Sequence, residues 1–147
     1  MTSIPPFARS NETPGVAVVI GGTGGIGSAL VAGLQAQGFE VLAIGRRTQP
    51  ALDYTDESTV AACAQHVADH LAHTGLPLRR LLVATGFLHG DTPGGQRAEP
   101  ERSWQHLNAA ALQHNFLINA IGPALVMRHC LPLLPKQGRC VAAFLSA

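Results

Sequence analysis

Five glycines occupy seven consecutive positions, 21 to 27, in the stretch "VVIGGTGGIGSAL" (18–30). They follow a run of branched apolar residues and open a helical pattern, although glycine loses more conformational freedom on ordering than any other residue. A helix N-terminus offers unpaired N–H groups and a partial positive charge, and side chains there would keep a pyrophosphate from the backbone. The crowding therefore predicts a phosphate-binding turn, with a tight strand–helix turn that binds nothing as the open alternative.

The rest of the chain alternates strand and helix patterns. Asp56 is predicted to cap the second helix and Gly75 to end it, while Pro123 marks a helix start or a kink. The predicted strands are 16–20, 39–45, 79–86 and 139–147, and the predicted helical regions are 26–37, 57–75 and 103–134, with an irregular loop at 87–100. This order predicts a doubly wound α/β fold with a parallel, Rossmann-like sheet, incomplete at its C-terminal side.

Length and composition suit one globular domain. The 147 residues are 46% hydrophobic and 13% charged with a net charge of +1, which argues against disorder and against strong attraction to nucleic acid or a membrane surface. We expect a flexible N-terminal extension over 1–15 and the domain over 16–147. The three cysteines are widely spaced, which is typical of reduced thiols. No signal-peptide core is apparent, and the apolar stretch "AIGPALVM" is too short to span a membrane. A soluble, cytoplasmic protein is expected.

The glycine spacing separates two kinds of phosphate site. A P-loop needs Lys and then Ser or Thr after its last glycine, whereas Ser28 directly follows Gly27, so nucleoside-triphosphate chemistry is not expected. The pattern Gly21-xxx-Gly25-x-Gly27 instead resembles the TGxxxGxG signature of short-chain dehydrogenases/reductases, with Ile20 at the usual Thr position. The resemblance implies cofactor binding by Gly21, Thr23, Gly25, Ile26 and Gly27.

The end of the second predicted strand bears on which cofactor is bound. NAD-binding versions usually carry an acid there for the ribose 2′-hydroxyl, but "AIGRR" has Gly45 at that position, followed by Arg46 and Arg47. A guanidinium pairs with a 2′-phosphate that a carboxylate would repel. NADP is therefore predicted rather than NAD, the alternative being that both arginines are ordinary solvated charges.

Further segments resemble the same family from Val16 onward. Asp53 in "ALDYTDE" matches an Asp that contacts the adenine amino group, or else it is a loop or capping residue. In "VATG" (83–86), Gly86 matches the family's NNAG, which places the cofactor against the backbone at Ala84 and Gly86, although Ala84 replaces an Asn. The loop "TGFLHG" and the later helix look closest to a C-factor-like subgroup.

Two catalytic residues are implied by resemblance alone. Asn119 in "FLINAIGPALVMRHCLPLL" matches the family's catalytic Asn, which holds a water in the proton relay, with a structural hydrogen-bonding role as the alternative. Ser146 in "RCVAAFLSA" aligns with the first Ser of the family's "SS", whose second Ser is usually catalytic. The family's long helix, here 116–131, commonly packs against its twin, so a homo-oligomer is expected.

The family's Tyr-x-x-x-Lys pair is missing from these 147 residues. The single tyrosine, Tyr54, has no Lys four residues later, and the single lysine is Lys136. The chain is therefore expected to carry the cofactor-binding part of an NADP-dependent oxidoreductase acting on a carbonyl or alcohol substrate. The alternative is a non-catalytic NAD(P)-binding signalling or regulatory module. No metal site is predicted, since His66, His70 and His73 suit a solvated helix face.

Overall fold

The computed structural model describes residues 14–92, 94–95 and 97–145. Six strands and four α-helices follow one another in these residues: β1 (Val16–Ile20), α1 (Gly25–Ala36), β2 (Glu40–Ile44), α2 (Glu57–Thr74), β3 (Leu78–Val83), β4 (Gly90–Asp91), β5 (Arg97–Ala98), α3 (Ala109–Phe116), α4 (Gly122–Cys130) and β6 (Val141–Phe144). A π-helical turn, Leu117–Ile121, joins α3 to α4, and single 3₁₀ turns lie at Trp104–His106 and Leu131–Leu133.

The main sheet has four parallel strands in the order β2-β1-β3-β6, which confirms the predicted doubly wound, Rossmann-like α/β fold. The chain passes from β1 to β2 and then returns across β1 to form β3 on its other side. The strand order thus reverses at β1. In open α/β sheets, ligands bind beyond the carboxyl ends of the strands at such a switch point.

Strand β1 is buried along its whole length because layers cover both faces of the sheet. Its alternate side chains enter two separate cores. Val16, Val18 and Ile20 join the larger core with residues of α2 and α4, whereas Ala17 and Val19 pack with Leu34 of α1. Burial on both faces explains why β1 reads as a continuous apolar run rather than an alternating one.

Local signals placed the ends of α2 correctly. The Asp56 carboxylate accepts a hydrogen bond from the Ser58 N–H at 2.9 Å, and Gly75 ends the helix in the left-handed region at φ 69°. The segment 87–100, predicted to be irregular, contains instead the two-residue antiparallel strands β4 and β5. Strands this short carry no readable periodicity, so the sequence did not indicate them.

The predicted helical region 103–134 is α-helical only from Ala109, and from there it is continuous across Gly122 and Pro123. Pro123 lies in the first turn of α4, directly after the π-helical turn Leu117–Ile121, and the apolar run is longer than the sequence suggested. Ala109–Leu133 is long and apolar enough to cross a membrane by length and composition, with 17% of its most apolar window buried. Core helices of globular domains pass the same test, and α4 packs against α2.

Candidate dinucleotide-binding site

The glycine turn lies at the carboxyl end of β1, beside the end of β3. Gly21 is in the left-handed region at φ 79°, and its N–H donates to the Ile44 carbonyl at 2.7 Å. A Cβ on Gly21 would lie 3.0 Å from the carbonyl carbon of Ala84 and 3.1 Å from Cγ2 of Thr85. The turn therefore requires glycine here for its backbone conformation and for the close approach of the β3 end.

Two other glycines of the turn have different surroundings. A Cβ on Gly27 would overlap the Gly21 carbonyl oxygen and lie 2.7 Å from the Gly21 carbonyl carbon. Around Gly25, in contrast, no described atom outside its two neighbours and the nearby backbone of α1 comes within 4 Å of a Cβ. Gly27 is thus required for packing of α1 against the turn, whereas Gly25 keeps a stretch of backbone open to a ligand.

The first turn of α1 is open to an anion. Gly24 is its N-cap, and among the described residues no side chain caps the helix. The first turn contains no acidic residue, and Ile26 is 64% exposed. The free N–H groups and the positive end of the helix dipole therefore face outward uncompensated, the arrangement that binds phosphate groups.

Gly45, after β2, borders the same region. It is buried, and a Cβ there would lie 2.9 Å from the Thr23 hydroxyl oxygen. Its backbone is held by Thr48, whose hydroxyl accepts from the Gly45 N–H at 3.0 Å. Arg46 and Arg47 follow and are both exposed. Thr23 and Gly45 are thus brought together, with two exposed positive charges beside them.

Asp53 lies in an ordered loop between β2 and α2. Its carboxylate accepts from the Thr55 hydroxyl at 2.7 Å and the Thr55 N–H at 2.9 Å, and these bonds, with a smaller contribution from the charge of Arg46, lower its pKa. The Asp53 N–H donates to the Thr59 hydroxyl at 2.9 Å. Asp53 is therefore ionised and hydrogen-bonded within its own loop, which agrees with the alternative that it is a loop residue. Its contact with the adenine amino group stays a prediction.

Asn119 joins the π-helical turn to the segment that follows β3. Its Oδ1 accepts from the Phe87 N–H at 2.8 Å, and its Nδ2 donates to the Phe87 carbonyl at 2.6 Å and to Asn115 Oδ1 at 2.7 Å. Gly86 is adjacent, since a Cβ there would lie 3.8 Å from Asn119 Oδ1. These bonds fix Asn119 at the site; its catalytic role stays a prediction. Ser146 lies outside the described residues.

Tyr54 and Thr85 belong to this region although the sequence did not indicate them. Tyr54 is only 7% exposed, and its hydroxyl shares a 3.0 Å hydrogen bond with the Thr85 hydroxyl. Burial raises the pKa of the phenol. Its ring fills the space that a Cβ on Gly122 would occupy. Residues 31 positions apart leave no local pattern, so only the fold reveals this pair.

A cavity of about 510 Å³ lies apart from the glycine turn, between the β4–β5 hairpin and the start of α3. Its lining includes Arg97 and Glu99, whose side chains form an exposed ion pair at 2.9 Å. None of the residues predicted to bind the cofactor lines it.

Comparison with known proteins supports the same architecture. The model of the NAD dependent epimerase/dehydratase family matches residues 17–81, from β1 into β3. A comparison with curated proteins returned no significant match.

Solved structures of dehydrogenases share the fold over most of this chain. A short-chain dehydrogenase from Streptomyces avermitilis aligns with a TM-score of 0.66 and 23% identity, covering 90% of this chain and 49% of that one. Aldohexose dehydrogenase from Thermoplasma acidophilum aligns with a TM-score of 0.67 and 14% identity, covering 89% of this chain and 48% of that one. NADPH-bound carbonyl reductase from chicken fatty liver aligns with a TM-score of 0.60 and 21% identity, covering 82% of this chain and 52% of that one. At such identities the likeness establishes the Rossmann-like fold, and the chain spans about half the length of these structures.

Proposed function

We propose that the chain is the dinucleotide-binding part of an NADP-dependent oxidoreductase of the short-chain dehydrogenase type. The observation that carries this proposal is the uncapped N-terminus of α1, which opens at the switch point between β1 and β3 beside the bare backbone of Gly25. The pyrophosphate binds there, with Gly21, Thr23, Ile26 and Gly27 forming the rest of the turn. The substrate is a carbonyl compound or an alcohol.

The choice of NADP depends on charge at the end of β2. Gly45 presents no carboxylate to the ribose, and Arg46 supplies a guanidinium for the 2′-phosphate, with Arg47 beside it. Asp53 receives the adenine amino group, and the backbone at Ala84 and Gly86 lies along the cofactor. The NADPH-bound carbonyl reductase with the same fold supports this assignment.

The reaction also needs an acid at the substrate oxygen, and Tyr54 is a poor candidate for that role. Its hydroxyl is buried against Thr85, and no lysine follows four residues later. Asn119 and Ser146 are proposed to serve the proton relay, together with a Tyr-x-x-x-Lys pair outside these 147 residues. The buried Tyr54 equally favours a second candidate, a module that binds NAD(P) without catalysis and serves signalling or regulation.

Titration of the 147-residue chain with NADPH and NADH, followed by nicotinamide fluorescence, tests the binding proposal. We expect saturable NADPH binding at least tenfold tighter than NADH binding, and no binding of either would refute it. Turnover separates the two candidates. A protein that includes the Tyr-x-x-x-Lys segment should oxidise NADPH with a carbonyl panel, whereas binding without turnover across that panel would favour the regulatory module.

We also propose that the 116–131 helix mediates homo-oligomerisation in a cytoplasmic protein of the C-factor-like subgroup. Phe116 is 62% exposed and Met127 37% exposed, while Val126 and Cys130 of the same segment are buried. An exposed apolar stripe of this kind is typical of a helix that packs against a partner. Light scattering of wild type against Phe116→Asp should show a concentration-dependent oligomer that the variant lacks.

A further inference from the structure

Tyr54 joins three segments that border the candidate dinucleotide-binding site. It directly follows Asp53, its hydroxyl shares a hydrogen bond with Thr85, and its ring packs on Gly122, which directly follows the π-helical turn carrying Asn119. Thr85 in turn packs against Gly21, since a Cβ on that glycine would lie 3.1 Å from Thr85 Cγ2. A chain of direct contacts thus runs from Tyr54 to the glycine turn.

The two ends of the Tyr54 side chain constrain different neighbours. The ring fixes the distance to α4, because Gly122 is the residue at that contact and a larger one would collide with the ring. The hydroxyl fixes Thr85, because a buried hydroxyl without a partner costs free energy. Ring and hydroxyl together hold the β3 end and α4 at a set separation.

We propose that Tyr54 is a positioning residue for cofactor binding, which holds the Thr85–Gly86 segment against the glycine turn through the Thr85 hydroxyl. The inference rests on the proposed dinucleotide function. Tyr54 itself need not touch the cofactor. Its hydroxyl keeps the β3 end in position between the glycine turn and Asn119.

The test compares NADPH affinity with stability in matched variants of the 147-residue chain. Tyr54→Phe removes the hydroxyl and keeps the ring, and Thr85→Val removes the partner hydroxyl at nearly constant volume. We expect each to raise the NADPH Kd about threefold to tenfold, the size of one lost hydrogen bond. The double variant should bind no more weakly than the weaker single variant, because both remove the same interaction. Thermal melts of each protein are recorded in parallel.

Val67→Ala is the control for general loss of stability. Val67 is fully buried in α2, ten residues from the helix start, a separation of about 15 Å along its axis. It should lower the melting temperature and leave the NADPH Kd unchanged. If wild type binds NADPH and Tyr54→Phe binds equally well, or if Val67→Ala weakens binding as much, the positioning role is refuted and the proposed function stands. A wild-type chain that binds no NADPH refutes both.

Discussion

Replacing Gly27 by alanine should destabilise the domain through a collision inside the glycine turn. The new Cβ would overlap the Gly21 carbonyl oxygen and lie 2.7 Å from its carbon and 2.9 Å from the Gly22 Cα. All three atoms are backbone, so no flexible side chain can move aside. Relief requires α1 to shift away from the turn, which loosens its contact with β1 and β2.

The magnitude follows from two opposed effects. Overpacking in a tight site costs about 1–3 kcal/mol, and a collision with backbone belongs at the upper end of that range or above it. Alanine recovers up to about 1 kcal/mol of helix propensity. We expect a net loss of about 2–3 kcal/mol, which for a domain of this size lowers Tm by roughly 5–10 °C.

Gly25→Ala and Gly33→Ala are the matched controls, because both glycines are in α1 and neither Cβ would meet an atom within 4 Å outside the adjacent residues and the helix's own backbone. Neither should lower Tm, and Gly33→Ala, in mid-helix, should raise it. Gly25→Ala should nevertheless weaken NADPH binding at least tenfold, because its Cβ covers the backbone proposed to face the pyrophosphate. Gly33→Ala should bind like wild type.

Circular dichroism melts and NADPH titrations of the three variants separate packing from binding. A Gly27→Ala protein as stable as wild type would refute the collision argument. Wild-type NADPH affinity in Gly25→Ala would refute the assignment of the pyrophosphate to this turn, whatever the melts show.

Three further predictions address charge, anchoring and pH. Arg46→Glu should weaken NADPH binding at least tenfold in paired titrations and NADH binding little; an equal loss for both would contradict a 2′-phosphate contact. Asn119→Ala leaves the Phe87 N–H and carbonyl without their partner, so urea denaturation should show a loss of about 1–3 kcal/mol; an unchanged midpoint would contradict the anchoring. Burial raises the pKa of the Cys130 thiol from 9.0 to about 11. Because the thiol ionises first in the unfolded state, its contribution to the free energy of unfolding is complete below pH 9 and is lost as pH rises toward 11. Denaturation curves across that range should show a decline of up to about 3 kcal/mol that Cys130→Ala reduces; an equal decline in the variant would assign it to other groups.

The sheet and its first two helices could be predicted because their signals are local. A strand buried on both faces is a continuous apolar run, and α2 shows its own ends through the Asp56 side chain and the left-handed Gly75. The β4–β5 hairpin gave no such signal, because two residues cannot establish a period. Pro123 predicts a helix start or a kink, but the sequence does not indicate the π-helical turn that precedes it.

The candidate site was predictable where one segment forms it and not where two segments meet. The glycine turn is contiguous, so its spacing and its position between a strand and a helix together predict a phosphate site. The different requirements at Gly25 and Gly27 are set by distances to the neighbouring backbone, which spacing does not encode. Likewise, Tyr54 with Thr85 and Phe87 with Asn119 are pairs separated by 31 and 32 residues, brought together only by the crossovers.

Binding and chemistry depend on different parts of this fold. The loops after β1, β2 and β3 meet at one edge of the sheet, so a chain containing those strands already gathers the proposed pyrophosphate, 2′-phosphate and adenine contacts. The single phenol of the chain is engaged in the core, where its hydroxyl bonds to Thr85 and burial raises its pKa, so proton transfer from it to a substrate is disfavoured. The proposed nucleotide binding by these 147 residues therefore does not require that they turn over a substrate, and an acid for the proposed reaction has to be a group other than Tyr54.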